Sequence, residues 1–251
     1  MCKLCFSLLS SHTAPHEPIS KGRRSLMGLF GAMPLAAVLG SSAVQAQTNI
    51  PLPENVLSPD QALARLMAGN ERYVSGKSEA INFDTTRSAL SKGQNPYACI
   101  LSCADSRVAP ELCFDEGRGD LFVTRVAGNF VTPDILASLE YGTAVLKSPL
   151  IMVLGHSSCG AISAAVQAYT ENAAFPGHIQ ALTTALAPAV RQAVNDKATN
   201  LVQASERNNI LLNVRNLKES NPIISQLVKD GKLKIVGGFY NLSTGRVDLV
   251  S

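Results

Sequence analysis

Tyr97-Ala98-Cys99-Ile100-Leu101-Ser102-Cys103-Ala104-Asp105-Ser106-Arg107 is the stretch from which the fold is read. Its first six residues form a short unbroken apolar run with turn formers ahead of it. That is the pattern of a strand buried on both faces of a parallel sheet. Asp120 to Val126 and Pro149 to Gly155 repeat it, Lys232 to Phe239 supplies a fourth strand, and Arg246 to Val250 adds an edge strand. Helical stretches lie between them: Thr132 to Leu146, Gly160 to Tyr169, His178 to Asn195, Asn200 to Glu219 and Pro222 to Asp230. An earlier helix is announced by Ser58-Pro59-Asp60, an N-cap signal, with Leu63, Leu66 and Met67 at helical spacing. It runs to about Val74, before Gly76. Strands alternating with helices predict one α/β domain with a mostly parallel central sheet: about four parallel strands plus an antiparallel edge strand, flanked by helices. No internal repeat, low-complexity tract or second domain interrupts the pattern.

The second half of that stretch carries the chemistry. Cys103, Asp105 and Arg107 are matched later in the chain by His156-Ser157-Ser158-Cys159-Gly160. Two thiols and an imidazole fill three positions around a tetrahedral zinc ion and leave the fourth for water, as catalytic sites do. Taken alone, His-x-x-Cys is a weak signal, and Asp-x-Arg is often a surface ion pair. Together, each at the end of a strand-like run, they gain weight, because open parallel sheets build their sites beyond the carboxyl ends of the strands. Cys159 opens a helix whose free N–H groups favour a thiolate there. Asp105 is positioned to orient a water nucleophile, and Arg107 to lock Asp105 and keep it ionised.

Residues 1–46 are set apart as an export signal, leaving residues 47–251 as the zinc domain. Arg23-Arg24 precede a modest apolar stretch from Leu26 to Gly40, and Val44-Gln45-Ala46 offers small residues for cleavage. The stretch is too short to span a bilayer, which takes about 20 apolar residues, so no stable membrane insertion is expected. The arginine pair resembles a Tat signal, with a Sec signal as the alternative, and the expected location is periplasmic. Without Lys3, Lys21, Arg23 and Arg24 against Glu17, the 22 basic and 19 acidic residues become 18 of each. A neutral mature chain gives no reason to expect nucleic acid as a partner. Cys99, Cys103, Cys113 and Cys159 remain. Cys99 and Cys103 would lie about 13 Å apart along one strand, beyond disulfide reach, so Cys99 and Cys113 read as buried free thiols. His178, in a Pro-Gly turn with no thiol nearby, is the weaker histidine candidate.

Cys103-x-Asp105-x-Arg107 and His156-x-x-Cys159 resemble the signature of the beta-class carbonic anhydrases, and the resemblance runs from Leu57 to Ser251. Gly231 to Tyr240 resembles the family's last parallel strand, Thr244-Gly245-Arg246-Val247 its closing turn, and the first helix its N-terminal arm. The resemblance implies reversible hydration of CO₂ to bicarbonate on Zn²⁺, with zinc-bound hydroxide oriented by the Asp105–Arg107 dyad. Cys103, His156 and Cys159 are the implied ligands, with Asp105 able to take the fourth position in a closed form. It implies a substrate pocket of Gln94, Phe122 and Tyr141, met at a dimer interface, and a homodimer or homotetramer. The family's regulatory bicarbonate pocket uses a tryptophan three residues before the first cysteine. Ile100 stands there and the chain has no Trp, although Arg125 occupies the matching arginine position. Three alternatives share these residues: the same zinc chemistry on carbon disulfide or another heterocumulene, a noncatalytic zinc sensor, and thiol redox chemistry. The lack of any Cys-x-x-Cys weighs against the last.

Overall fold

A computed structural model describes residues 56–79 and 83–250. The signal-peptide reading of residues 1–46 lies outside them. Among the described residues, no helix is long and apolar enough to cross a membrane. The elements run α1 (Pro59–Val74), α2 (Phe83–Leu90), β1 (Ala98–Ser102), α3 (Pro110–Cys113), β2 (Leu121–Arg125) and α4 (Pro133–Glu140). A π-helical turn, Tyr141–Val145, precedes β3 (Leu150–His156), α5 (Gly160–Glu171), α6 (Ile179–Asn195) and α7 (Leu201–Glu219). The chain closes with α8 (Ile223–Lys229), β4 (Lys234–Tyr240) and β5 (Val247–Val250).

The sheet order is β2-β1-β3-β4-β5, parallel throughout except for the antiparallel β4–β5 pair. Every residue of β1 and β3 is buried, which is why both read as continuous apolar runs. Side chains still alternate across the sheet. Ala98, Ile100, Leu150, Met152 and Leu154 face the layer of α1 and α3, with Phe114 and Leu66. Cys99, Leu101, Ile151 and Val153 face Leu139 of α4, Ile210, Val214 and Leu217 of α7, and Ile224 of α8. Each fully buried Leu or Ile contributes about 1.5–3 kcal/mol of transfer free energy. A third cluster, of Cys103, Cys159, Ile162, Leu186 and Val190, sits between α5, α6 and the sheet's carboxyl edge.

The expected helical arm is α1, capped by Ser58 and Gln61 in a reciprocal capping box. It is anchored on its own chain: Ala62 and Leu66 are fully buried, and Asn70 donates to the Cys113 and Gly245 carbonyls while accepting from Val247 N–H. Arg65 reaches Glu116 through two N–H groups at 3.1 and 2.6 Å, and Arg72 donates to Asp115 at 2.6 Å.

Two features depart from the sequence expectation. The helix expected over Thr132 to Leu146 closes as α-helix at Glu140 and continues as the π turn, where Gly142 lies tight on the sheet. A Cβ on Gly142 would come within 2.5 Å of Cys99 Sγ. The short helices α2 and α3 were not foreseen.

β1 leads through α3 to β2 on one side, whereas β3 leads through α5 to α8 to β4 on the other. The crevice between the carboxyl ends of β1 and β3 is therefore the topological switch point, where open α/β sheets place ligands.

Candidate metal centre

Cys103 follows the last residue of β1, His156 ends β3, and Cys159 is the N-cap of α5. Because β1 and β3 are hydrogen-bonded neighbours, the first and third strands deliver their ends to one place. The donor atoms of Cys103, His156 and Cys159 lie within 4.8 Å of one another, and the two Sγ atoms are 4.0 Å apart. All three residues are buried. His178, the other histidine of the domain, is outside the group.

The three donors fit a metal ion. His156 Nδ1–H donates to the Ser157 carbonyl at 2.9 Å, which fixes the tautomer and leaves the Nε2 lone pair free. That Nε2 is buried without a hydrogen-bond partner among the described residues. A buried, unpaired nitrogen facing two thiols is costly unless a cation completes the set. The close contact with the Cys159 thiol, helped by Gly128 N–H at 3.2 Å, holds the Cys103 thiol far below its ordinary range. The same contact, together with burial, pushes Cys159 up. The N–H groups of Ala161 and Ile162 do act on Cys159 as a helix start should, but they are outweighed. Burial disfavours the imidazolium of His156, yet the adjoining Cys103 leaves its net shift upward.

Asp105 and Arg107 form the predicted pair. Arg107 donates its backbone N–H and Nε to Asp105 Oδ1, both at 2.9 Å, and Nη2 to Oδ2 at 2.7 Å. These bonds hold the Asp105 carboxyl well below the usual carboxylate range. Arg107 Nη2 also reaches the Ser158 carbonyl at 3.1 Å, tying the two motifs together. Asp105 Oδ2 lies 3.8 Å from His156 Nε2, beside the donor cluster, but its oxygens are occupied by Arg107. Arg125, at the position that matches the regulatory arginine, is a brace instead: Nε donates to Cys103 O at 2.9 Å and Nη2 to Asp105 O at 2.7 Å.

Within the chain, Gln94, Phe122 and Tyr141 are not brought to this cluster. Gln94 precedes β1, at the end of the strand opposite Cys103, and is exposed. Phe122 packs against the sheet layer that contains Cys99, and its ring centroid is 6.2 Å from that of Tyr141, which is 48% exposed. Cys99 and Cys113 are buried free thiols, as expected, and burial pushes Cys99 up to about 12.

Sequence reasoning missed a set of polar side chains on α7. Glu206, Asn209 and Asn213 are all buried, on the face that also carries Ile210, Val214 and Leu217. Glu206 accepts from Cys159 N–H at 2.9 Å. Burial pushes its carboxyl up, opposed chiefly by that N–H. The available signal was polar residues at i, i+3 and i+7 within an otherwise apolar stripe.

Comparison with known proteins gives a consistent result. The sequence pattern of the carbonic anhydrase family matches residues 98–247. Carbonic anhydrase 2 of Mycobacterium tuberculosis is 39% identical over 196 residues, covering 76% of this chain and 93% of that protein. The structure of a Coccomyxa beta-carbonic anhydrase in complex with acetazolamide aligns at 27% identity and a TM-score of 0.60, over 75% of this chain and 86% of that one. A tetrameric beta-carbonic anhydrase from Sordaria macrospora shares the fold at 23% identity and a TM-score of 0.62, over 75% and 96% of the two chains.

Proposed function

Because the chain belongs to the beta-class carbonic anhydrases, we propose that it interconverts CO₂ and bicarbonate on Zn²⁺ held by Cys103, His156 and Cys159, with Asp105 and Arg107 as the working dyad. The observation that carries this reading is the juxtaposition of three donor atoms within 4.8 Å of one another and an Arg-locked carboxylate 3.8 Å from one of them. When bound, Zn²⁺ supplies the Lewis acidity that lets water act as a nucleophile near neutral pH. Two thiolates cancel most of the ion's charge, so help in deprotonation falls to the protein. Asp105 answers that need: its carboxylate stays ionised and accepts a hydrogen bond at Oδ2, which orients the water nucleophile. Arg107 fixes the direction of that acceptor through its forked contact. His156 presents Nε2 to the ion, oriented by its Nδ1–H bond to Ser157.

Gln94, Phe122 and Tyr141 would line the CO₂ slot from across a subunit interface, in a homodimer or homotetramer. The half-exposed Tyr141 ring beside Phe122 supports that role. An active monodisperse monomer in light scattering would remove it. We also infer export to the periplasm from residues 1–46; replacing Arg23 and Arg24 with Lys should block a Tat route, and unchanged export would argue for Sec.

Stopped-flow CO₂ hydration on protein of known metal content tests the central claim. Hydration that scales with bound zinc supports it. A fully zinc-loaded protein inactive at alkaline pH would point to another small heterocumulene as substrate.

A further inference from the structure

The α7 helix approaches the sheet unusually closely because two strand residues lack side chains. Ile210 sits over Gly155 of β3 and Gly237 of β4, and a Cβ on either would fall 2.7 or 2.5 Å from an Ile210 side-chain carbon. This seats the turns of α7 on either side of Ile210 against the loops that carry the two thiols. There the buried face of the helix is polar: Glu206, Asn209 and Asn213 are 4%, 2% and 3% exposed. Apolar residues would fill such a face at lower desolvation cost, so the partners of these side chains explain their presence.

Those partners lie in the two loops that carry the thiol contacts. Glu206 accepts from Cys159 N–H at 2.9 Å. Asn209 Nδ2 donates to the Gly128 carbonyl at 2.8 Å, and the N–H of that same Gly128 donates to Cys103 Sγ at 3.2 Å. Asn213 Nδ2 donates to Asn209 Oδ1 at 3.0 Å and to Asn209 O at 2.8 Å, which orients the Asn209 amide. Its Oδ1 accepts from Val131 N–H at 2.8 Å, pinning the far side of the Gly128 loop. Gly128 itself has φ +84°, and a Cβ there would meet Leu186 at 2.8 Å, so the loop has little freedom to reach Cys103 another way.

We propose that the Glu206–Asn209–Asn213 stripe of α7 is the positioning element of the metal site, setting the separation and direction of both thiol donors from one rigid helix. This rests on Cys103, His156 and Cys159 being the ligands. Outer-shell hydrogen bonds of this kind typically govern metal affinity by 10- to 100-fold. The three residues act through the backbone of Cys159, Gly128 and Val131.

The test uses the full-length protein, stripped of metal and titrated with Co²⁺, reading the dissociation constant and the thiolate-to-cobalt charge-transfer band alongside a thermal melt. Glu206→Ala should bind Co²⁺ about 10- to 100-fold more weakly and shift the band. Glu206→Gln, which keeps an acceptor oxygen for Cys159 N–H, should stay within about threefold of the parent. Asn209→Asp, close in size but unable to donate to Gly128, carries the same test from the Cys103 side should Glu206→Ala not fold. Folded variants whose affinity and band match the parent, even with a lowered melting temperature, overturn the proposal. A parent protein that fails to take up Co²⁺ overturns the ligand assignment itself, and this role with it.

Discussion

Asp105→Asn is the most direct challenge to the proposed mechanism. The substitution keeps the size of the side chain but leaves one oxygen where there were two. Asp105 Oδ1 now accepts two N–H groups of Arg107 at 2.9 Å, and Oδ2 accepts Nη2 at 2.7 Å. With the asparagine oxygen at the Oδ1 site, its NH₂ faces Nη2 at a donor-to-donor distance that neither can hold. Turned the other way, it loses two bonds instead of one. Either way no ionised carboxylate remains beside His156 Nε2, now 3.8 Å from Oδ2. A positioned general base contributes typically 10²–10⁴-fold, so kcat/KM for CO₂ hydration should fall by about 10³-fold at pH 8, or about 4 kcal/mol of transition-state stabilisation. The metal donors are untouched, so zinc content should stay at one per chain. Stopped-flow hydration with a pH indicator, paired with elemental analysis, reads both quantities. The pH profile supplies a second check on Asp105. Its folded pKa is depressed, so its contribution is present above the ordinary carboxylate range and is lost only as pH falls through the lowered value. No loss of activity between pH 5 and 8 should therefore belong to Asp105. A zinc-loaded Asp105→Asn protein within about threefold of the parent would refute the base assignment.

Further outcomes follow from other contacts. Arg65→Ala removes two N–H bonds from Glu116, whose side chain is 3% exposed, and leaves it with Tyr97 O–H at 2.7 Å. Breaking a buried pair costs 3–5 kcal/mol. With the Arg65 side chain 34% exposed the low end applies, a drop of about 6–12 °C in Tm by circular dichroism, and a drop under about 2 °C would contradict it. Burial raises the Cys99 thiol to about 12, so its contribution to stability is full below the unfolded value of about 8.5 and is lost as pH rises toward 12. Urea midpoints should fall across that window, and Cys99→Ala should flatten the decline; an unchanged slope would sink the assignment. Stripping the metal with a chelator should abolish hydration and make Cys103 react with iodoacetamide ahead of Cys99, as mapped by mass spectrometry. Equal labelling of both would contradict the lowering of the Cys103 thiol relative to Cys99.

Much of this architecture was legible in advance because burial on both faces writes itself into a strand as uninterrupted apolar residues. β1 and β3 are the clearest cases, and their ends locate Cys103 and His156. The short helices escaped notice because α3 spans one turn, Pro110–Cys113, and α2 is a polar eight-residue segment, Phe83–Leu90; neither is long enough for periodicity to register. The π turn at Tyr141–Val145 was illegible for another reason. It follows a run with good helical pattern, and Gly142's contact with Cys99, across the chain, has no local signature.

The sequence by itself determined the strand–helix alternation, the two motifs that hold the three candidate donors, the Asp105–Arg107 pair and the buried free thiols, since each is written in a short motif or a repeating pattern. Only the tertiary structure brought the Cys103 and Cys159 thiols within 4.0 Å of each other and set Gly128 N–H, from a loop 25 residues along, on Cys103. It likewise made Arg125 a brace for the Cys103 and Asp105 carbonyls. It also gave α7 a polar face beneath the site, which becomes visible once Gly155 and Gly237 let Ile210 descend onto the sheet. Hydrogen-bond geometry between distant segments is set by packing, and packing has no expression in a local run of residues.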